Sequence, residues 1–275
     1  MPTIQWYPGH IAKAERQLKQ QLSKVDVVLE VIDARIPISS QHPQVPGWIG
    51  EKPKMIILNR MDMVSEGVMQ GWLEHFKGKG EQAYFTNARQ GQGVKAIVRH
   101  AQKLSDQVNA KRKRKGMLPR PVRAVVIGFP NVGKSALINR LVGKKVVKSA
   151  RKAGVTRHLQ WVKISDAIEL LDAPGIIPWK LEDQTSAIKL AICEDIGEAS
   201  YENQFIAESL IDLLKALGHG EVLRDRYNLD PRDRTGEAYV YELGQTLGDP
   251  ERAACQLLND FRKGVMGPLA LELPV

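Results

Sequence analysis

The most specific chemical signal in the sequence is the segment Gly128-Phe-Pro-Asn-Val-Gly-Lys-Ser135, which matches the pattern G-x-x-x-x-G-K-[ST]. The apolar run Ala124 to Ile127 precedes it and a helical pattern follows it, the context in which this pattern binds phosphate. Glycines let backbone amides curl around phosphate oxygens, and the new helix presents free N–H groups and its positive dipole end. Lys134 adds a point charge, so the segment predicts a nucleotide-phosphate site. The residues expected to contact the nucleotide here are Asn131, Val132, Gly133, Lys134, Ser135 and Ala136.

Three further positions have the chemistry of a magnesium site beside such a loop. The Ser135 hydroxyl can ligate Mg²⁺ directly. Asp172-Ala-Pro-Gly175 follows an apolar run and matches the D-x-x-G element, whose Asp holds Mg²⁺ through a water and whose Gly amide, here Gly175, senses the γ-phosphate. Thr156 lies between the two motifs and offers a second hydroxyl. An ordinary Asp-Pro-Gly turn and an ordinary loop threonine are the alternatives, but the spacing favours a Mg²⁺ site at Ser135, Thr156 and Asp172.

A second group of residues has the chemistry needed to recognise guanine. Asn59-Arg-Met-Asp62 resembles the N-K-x-D element of GTPases, and the Asp62 carboxylate can accept both guanine donors, a pair that adenine lacks. Asn59 is expected to tie this loop to the phosphate loop. Arg60 replaces the usual lysine but keeps the charge and an aliphatic stem that can stack on the base. Asn87-Ala88-Arg89 stands where a backbone amide contacts the guanine oxygen.

Short apolar runs alternate with helical patterns over the first 180 residues, which predicts a mostly parallel sheet with helices on both faces. Each run ends in polar or Gly-rich residues, at the strand ends where such sheets bind ligands. The expected strands are Val25 to Ile32, Met55 to Leu58, Ala83 to Thr86, Ala124 to Ile127, Leu159 to Ile164 and Ile168 to Leu171. The fold class is therefore α/β, the three-layer sheet of P-loop NTPases.

The order of the motifs departs from that of ordinary small GTPases, because both base elements precede the phosphate loop. A circular permutation of the G domain explains this order, with Lys111 to Pro121 as an exposed basic connector between the two original chain ends. From Leu181 onward the apolar spacings are helical. We therefore expect a permuted G domain at 1–180 and a small all-α domain at 181–275.

These features together resemble the YlqF/RbgA family of circularly permuted ribosome-biogenesis GTPases. The resemblance rests on the permuted order, the phosphate loop and three other segments, Trp6 to Ala14, Val31 to Pro37 and Asp260 to Gly264. It implies GTP and GDP as ligands and GTP hydrolysis during late assembly of the large ribosomal subunit. It also implies that the precursor of that subunit and its rRNA are partners, with the helical domain engaging the rRNA.

The hydrolysis chemistry lacks the glutamine that usually orients the attacking water after D-x-x-G, because Ile176-Ile-Pro178 stands there. The resemblance maps the substitute onto His10, whose imidazole suits proton handling near neutral pH. Capping a helix or contacting RNA are the alternative roles of His10. The predicted catalytic residues are thus His10 and Lys134. The resemblance also implies that Asn131 holds K⁺ near the phosphates, the alternative being that it only shapes the loop.

Composition supports this interpretation. Apolar residues make up 43% and charged residues 26%, so the chain is neither disordered nor collagen-like. The two cysteines have no metal-like spacing, and no apolar run is long enough to cross a membrane, so a cytoplasmic protein is expected. We expect a monomer that binds neither DNA nor membranes.

The formal net charge of +9 favours a polyanionic partner, but the excess is uneven. Residues 198–275 hold 8 Lys and Arg against 14 Asp and Glu, which leaves 32 against 17 for residues 1–197. RNA binding by the tail would therefore need a local basic stripe. The candidates for that stripe are Arg224, Arg226, Arg232 and Arg234.

Two other functions compete with GTP hydrolysis. The missing glutamine and the basic excess are also consistent with a nucleotide-gated RNA-binding scaffold that has negligible catalysis. A P-loop ATPase or kinase is disfavoured by Asp62 and by the absence of a lid-like arginine cluster.

Overall fold

The structure, a computed structural model, describes residue 4 and residues 9–144, 160–165, 168–173 and 181–274, without the side chains of 9–14, 160 and 199. Six strands are described: β1 (Val27–Asp33), β2 (Lys54–Asn59), β3 (Gln82–Thr86), β4 (Val122–Ile127), β5 (Gln160–Lys163) and β6 (Ile168–Asp172). The helices are α1 (Gly9–Leu22), α2 (Val45–Ile49), α3 (Glu66–Gly78), α4 (Val94–Arg114), α5 (Lys134–Val142), α6 (Gln184–Ile192), α7 (Asn203–Ala216), α8 (Gly220–Tyr227), α9 (Gly236–Leu247) and α10 (Pro250–Lys263). Short 3₁₀ helices cover Met61–Met63 and Glu198–Ser200.

The strands form one sheet in the order β3-β2-β1-β4-β6-β5, parallel except for β5, which is antiparallel to β6. All seven residues of β1 are buried, as expected for a central strand covered on both faces. The register pairs Asp33 with Asn59 and Asn59 with Thr86, so the polar residues at these strand ends meet at one edge. The predicted α/β sheet and its six strands are confirmed.

The basic connector predicted at Lys111 to Pro121 is helical in its first part, because α4 continues through Arg114 before the chain turns. Four basic residues in the last turn interact favourably with the negative end of the helix dipole, which offsets part of their mutual repulsion. The run is exposed, as predicted, apart from the half-buried Arg112.

The C-terminal helices form an all-α region around buried residues of α7, α9 and α10. Tyr239 lies at its centre and donates its hydroxyl proton to the carbonyl oxygens of Leu223 and Leu229, both at 3.2 Å. One continuous apolar cluster joins Val27 of β1, Leu190 of α6 and Leu257 of α10. The helical character of the tail is confirmed, while the division of the chain at residue 180 stays a prediction.

The proposed basic stripe of the tail is compensated by acids. The shortest cation-to-carboxylate distances are 3.6 Å for Arg224 to Asp225, 2.9 Å for Arg226 to Asp260, 2.5 Å for Arg232 to Asp230 and 2.6 Å for Arg234 to Glu242. The four arginines are therefore members of ion pairs rather than a row of uncompensated charge. Within the described ranges, no helix is both long and apolar enough to span a bilayer.

Candidate functional site

The phosphate loop has the backbone shape that its glycines predict. Gly128 follows β4 with φ of 147°, and a Cβ there would lie 2.1 Å from the carbonyl oxygen of Val31. Gly133 has φ of 103°, and its Cβ would lie 2.1 Å from Nδ2 of Asn59. Both positions therefore exclude side chains. Gly133 is also the N-cap of α5, so it offers no side chain to bond the first helical amides, which suits them to an anion.

Asn59 connects the base loop to the phosphate loop. Its Nδ2 donates to the carbonyl oxygen of Val132 at 2.7 Å. Its Oδ1 accepts from the Ala88 amide at 3.0 Å and from the Thr86 hydroxyl at 3.2 Å. The predicted link between the two loops is confirmed, and it extends to the segment that follows β3. One buried side chain thus holds three strand ends together.

Arg60 adds a second link. It has a left-handed backbone, with φ of 66°, and its NH2 donates to the carbonyl oxygen of Asn131 at 2.9 Å. Its Nε lies 3.4 Å from an Asp33 carboxylate oxygen. The Asn131 side chain in turn donates to the carbonyl oxygen of Glu194 at 2.8 Å. The turn after α6 is thereby attached to the phosphate loop.

The remaining base-contacting residues lie on either side of Asn59. Asp62 is exposed on the 3₁₀ helix Met61–Met63. Asn87 is buried, and its Oδ1 accepts from the amides of Arg89 at 3.1 Å and Gln90 at 3.0 Å, which fixes the turn. The Ala88 amide, expected to face the guanine oxygen, donates here to Asn59.

Lys134, the first residue of α5, and Asp172, the last residue of β6, are both buried. The Lys134 ammonium donates to the carbonyl oxygens of Gly128 at 3.2 Å and Phe129 at 2.7 Å, so the loop itself binds this cation. Burial lowers the pKa of Lys134 to about 8, an effect that Asp172 and Asp195 oppose. Burial raises the pKa of Asp172 to about 6, opposed by Lys134.

Asp172 has the character of a cation ligand. Neither of its buried carboxylate oxygens accepts a hydrogen bond from the part of the chain that the structure describes. Ser135, in the first turn of α5, is half-buried, as is Ala136. A buried carboxylate that accepts no hydrogen bond and a serine hydroxyl are both oxygen ligands of the kind that Mg²⁺ prefers. Thr156, Gly175 and Ile176 lie outside the described residues, and of His10 only the backbone, in α1, is described.

Sequence reasoning missed a buried cluster of charges behind this site. Arg35 is fully buried and makes two bonds to the Asp33 carboxylate, from Nε at 3.0 Å and NH2 at 2.7 Å. Burial alone would raise the pKa of Asp33, but Arg35 and Arg60 outweigh it and hold that pKa below its usual range. The polar residues at the end of β1 were the sequence feature that could have indicated this Asp33–Arg35 ion pair.

Asp195 is the other missed residue. It is fully buried 4.0 Å from the Arg60 NH2, and burial together with Asp33 raises its pKa well above the usual range. It comes from the turn after α6, more than a hundred residues from Asp33 and Arg60 in sequence, and no motif surrounds it. Nothing in the sequence signals its position.

Comparison with known proteins gives matches over nearly the full length. The family described as 50S ribosome-binding GTPase matches residues 123–216. Ribosome biogenesis GTPase A of Bacillus cereus is 37% identical, covering 98% of this chain and 94% of the relative. The Thermotoga maritima protein of that name is 32% identical, covering 98% and 95%.

Two solved structures are also similar in fold. GNP-bound YlqF from T. maritima has a TM-score of 0.66 and 25% identity, covering 95% of this chain and 98% of that one. GDP-bound YlqF has a TM-score of 0.65 and 26% identity, covering 94% and 99%.

Proposed function

The chain belongs to the ribosome biogenesis GTPase A family, also called YlqF or RbgA, and we propose that it binds GTP and hydrolyses it to GDP and phosphate. We propose that this reaction takes place during late assembly of the large ribosomal subunit. The observation that carries the proposal is the pair of Asn59 bonds to Val132 and Ala88. They join a guanine-selecting loop to a phosphate loop although the two occur in permuted order along the chain.

Different residues of the site would bind the base and the phosphates of the nucleotide. Asp62 would accept the two guanine donors, and the segment after β3, Asn87 and Ala88, would face the guanine oxygen, with the Ala88 amide shared between that oxygen and Asn59. The stem of Arg60 would lie against the base. The amides of the phosphate loop and of the first turn of α5 would bind the phosphates, with Lys134 leaving the carbonyl oxygens of Gly128 and Phe129 for the phosphate oxygens.

Mg²⁺ would be held by Ser135, Thr156 and Asp172, with the Gly175 amide near the γ-phosphate. When bound, it neutralises charge on the phosphate oxygens. The buried, unpartnered oxygens of Asp172 support this assignment within the described residues.

Two finer parts of the proposal concern the rate of hydrolysis. His10 would orient the attacking water. It lies in the first turn of α1, whose later residues Leu18 and Leu22 pack in one cluster with Leu171 and Ala173 at the end of β6. Asn131 would hold K⁺, which adds positive charge near the phosphates when bound. Because Nδ2 of Asn131 donates to Glu194, its Oδ1 is the atom suited to the cation.

The proposed partners are the precursor of the large ribosomal subunit and its rRNA, and binding to that precursor would stimulate hydrolysis. The proposal keeps the cytoplasmic location and the monomeric state that the sequence predicts, with neither DNA nor a membrane as partner.

Phosphate release from GTP, measured with and without purified large subunits in K⁺ and in Na⁺ buffers, tests the proposal. We expect subunits to raise turnover and K⁺ to support it better than Na⁺. A chain that binds subunits in a GTP-dependent manner without releasing phosphate would instead be the nucleotide-gated scaffold.

Base selection is tested by Asp62→Asn. An amide offers a donor where guanine also has a donor, so the preference should shift from GTP to xanthosine triphosphate. Asp225→Asn, an exposed change in α8, serves as the matched control. Unchanged relative affinity for the two nucleotides in the Asp62 variant would refute the assignment.

A further inference from the structure

We propose that the solvent-facing side of α4 is the surface through which this protein binds the phosphate backbone of RNA. The inference rests on the proposed function in ribosome assembly and assigns a specific surface to it. We call this surface the α4 cationic face. It consists of exposed side chains that share a positive charge, namely Lys95, Arg99, Lys103, Lys111, Lys113, Arg114 and Lys115.

The helical geometry collects five of these seven charges on one side, with Lys111 at the margin of that side and Lys115 just past the end of the helix. With about 100° of rotation per residue, Lys95, Arg99, Lys103, Lys113 and Arg114 fall within an arc of roughly 100°. The buried residues of the helix, including Val94, Ile97 and Ala101, lie on the opposite side against the sheet. From Lys95 to Arg114 the helix extends about 29 Å. The face is therefore a straight row of cations rather than a scatter.

The charges of this face lack acidic partners. None of its seven cations lies within 4.0 Å of a carboxylate in the described part of the chain, which includes every Asp and Glu except Asp166. The acid on the same side of the helix, Asp106, accepts instead from Gln102 at 3.3 Å. The arginines of α8 and the following turn are paired with acids. Uncompensated positive charge thus distinguishes α4 from α8 and the turn after it.

The C-terminal end of the helix is held in place. Asn109 donates to the carbonyl oxygen of Arg120 at 3.0 Å and accepts from its amide at 3.1 Å. The Arg120 guanidinium then makes two bonds to Asp26, at 2.7 and 2.9 Å, just before β1. A surface ordered before binding loses less conformational entropy on complex formation.

Electrostatics selects the partner. Adjacent like charges repel, so the face costs stability unless an anion compensates it. A phosphodiester backbone presents a comparable row of charges, and binding it releases condensed counterions. An rRNA helix in an assembling subunit supplies that row. The geometry therefore favours RNA contact through the G domain, whereas the family resemblance placed it in the helical tail.

The triple variant Lys111→Gln, Lys113→Gln, Arg114→Gln tests the proposal in the full-length protein. The probe is a generic RNA duplex of about 20 base pairs, longer than the roughly 16 base pairs that a compact double-stranded-RNA domain covers. Fluorescence anisotropy over a series of KCl concentrations gives both the affinity and its salt dependence. We expect a loss of affinity of about tenfold or more at low salt. We also expect the slope of log K against log salt to become shallower by about 3.

The matched control removes the same charge elsewhere, through Arg224→Gln, Arg232→Gln and Arg234→Gln. A smaller loss of affinity in this control supports the α4 face. An equal or larger loss, or wild-type binding by the α4 variant, overturns it. Circular dichroism verifies that both variants keep their helices, and glutamine has a helix propensity similar to that of lysine and arginine.

Basal GTP turnover separates this inference from the proposed function. The substituted residues lie at the end of α4 that is farther from the base loop, so basal turnover should match that of the wild type. A chain that hydrolyses GTP but binds RNA equally well with or without the α4 charges refutes only the surface. A chain that binds RNA through α4 but never hydrolyses GTP refutes only the enzyme assignment. Equal binding of the wild type and the α4 variant to RNA, with a difference seen only on subunit proteins, would identify a protein partner and overturn the proposal.

Discussion

Arg60 occupies the position where GTPases carry lysine, and its guanidinium group makes contacts that one ammonium group could not make together. It donates to the carbonyl oxygen of Asn131 and at the same time approaches the carboxylates of Asp33 and Asp195. The planar guanidinium group has five N–H donors, so it can contact several acceptors at once. The substitution therefore adds a connection from the base loop to the buried charges behind the phosphate loop.

Asn59 is the residue whose loss should most directly separate the two loops. In Asn59→Ala, the Ala88 amide loses its acceptor and the Val132 carbonyl loses its donor. Each unsatisfied buried group costs about 1–3 kcal/mol. We expect a lower free energy of unfolding in urea and a GTP affinity reduced by about tenfold or more, since about 1.4 kcal/mol corresponds to tenfold.

Asn109→Ala is the matched control, because Asn109 also bonds a distant backbone in both directions but lies at the end of α4. It should reduce stability while leaving GTP affinity unchanged, as measured with a fluorescent nucleotide. Equal GTP affinity in the two variants would contradict the role assigned to Asn59.

Among the secondary-structure elements, α5 has a tightly constrained backbone at its N-terminus. Gly133 and Gly143 flank this helix, both with positive φ, but only the first has a close neighbour for a Cβ, the Nδ2 of Asn59. Gly143→Ala should cost about 1–2 kcal/mol for the left-handed backbone alone. Gly133→Ala should cost more and abolish GTP binding, because Asn59 must also move away.

Thermal unfolding and nucleotide titration of the two glycine variants distinguish these effects. A Gly133→Ala protein that still binds GTP with wild-type affinity would show that Asn59 can move at little cost. In that case the close approach of loop and base element would not be needed for the nucleotide.

The elements that could be predicted from the sequence are those whose signal is local. Buried parallel strands such as β1 and β2 are continuous apolar runs, and the phosphate loop has fixed glycine spacing. The helical part of the basic connector was not predicted, because adjacent like charges repel, whereas here Asn109 and the helix dipole stabilise the end of α4.

The parts of the site that could not be predicted depend on contacts between distant residues. Arg35 donates to the carbonyl oxygen of Cys193, 158 positions away, at 3.2 Å. Asn131 reaches Glu194 across 63 positions. Such pairs arise only once the turn after α6 packs against the sheet, and no periodicity or motif encodes that packing. The burial of Asp195 belongs to the same class.

In the whole molecule, the net charge of +9 is divided unevenly between the G domain and the helical tail. The two regions differ in the sign of their charge and also in whether their cations are paired with acids. The helical tail pairs the arginines of α8 and of the turn after it with its own acids, while α4 leaves its cations to the solvent. The apolar cluster nevertheless runs through both regions. The G domain and the helical tail therefore differ in charge but share one apolar core. Because they share this core, we predict that the two regions unfold together.

Glu272 tests that cooperation, because it attaches the end of the chain to the loop after β1. Its carboxylate accepts from the Ile38 amide at 2.7 Å, from the Ser39 amide at 3.2 Å and from the Ser39 hydroxyl, and it pairs with Lys189 at 3.1 Å. Glu272→Ala leaves these donors without their acceptor. We expect a loss of about 3 kcal/mol in the free energy of unfolding.

Glu242→Ala provides the comparison, since it removes an exposed carboxylate from its pair with Arg234 and should cost less than about 1 kcal/mol. Urea unfolding is followed by far-ultraviolet circular dichroism, dominated by helices, and by tryptophan fluorescence, to which the buried Trp72 on α3 contributes. Because Glu272 joins the tail to the sheet, its loss should shift both transitions by the same amount. A shift seen by only one probe would mean that the tail unfolds independently, and the shared core would then contribute less to cohesion than its continuity implies.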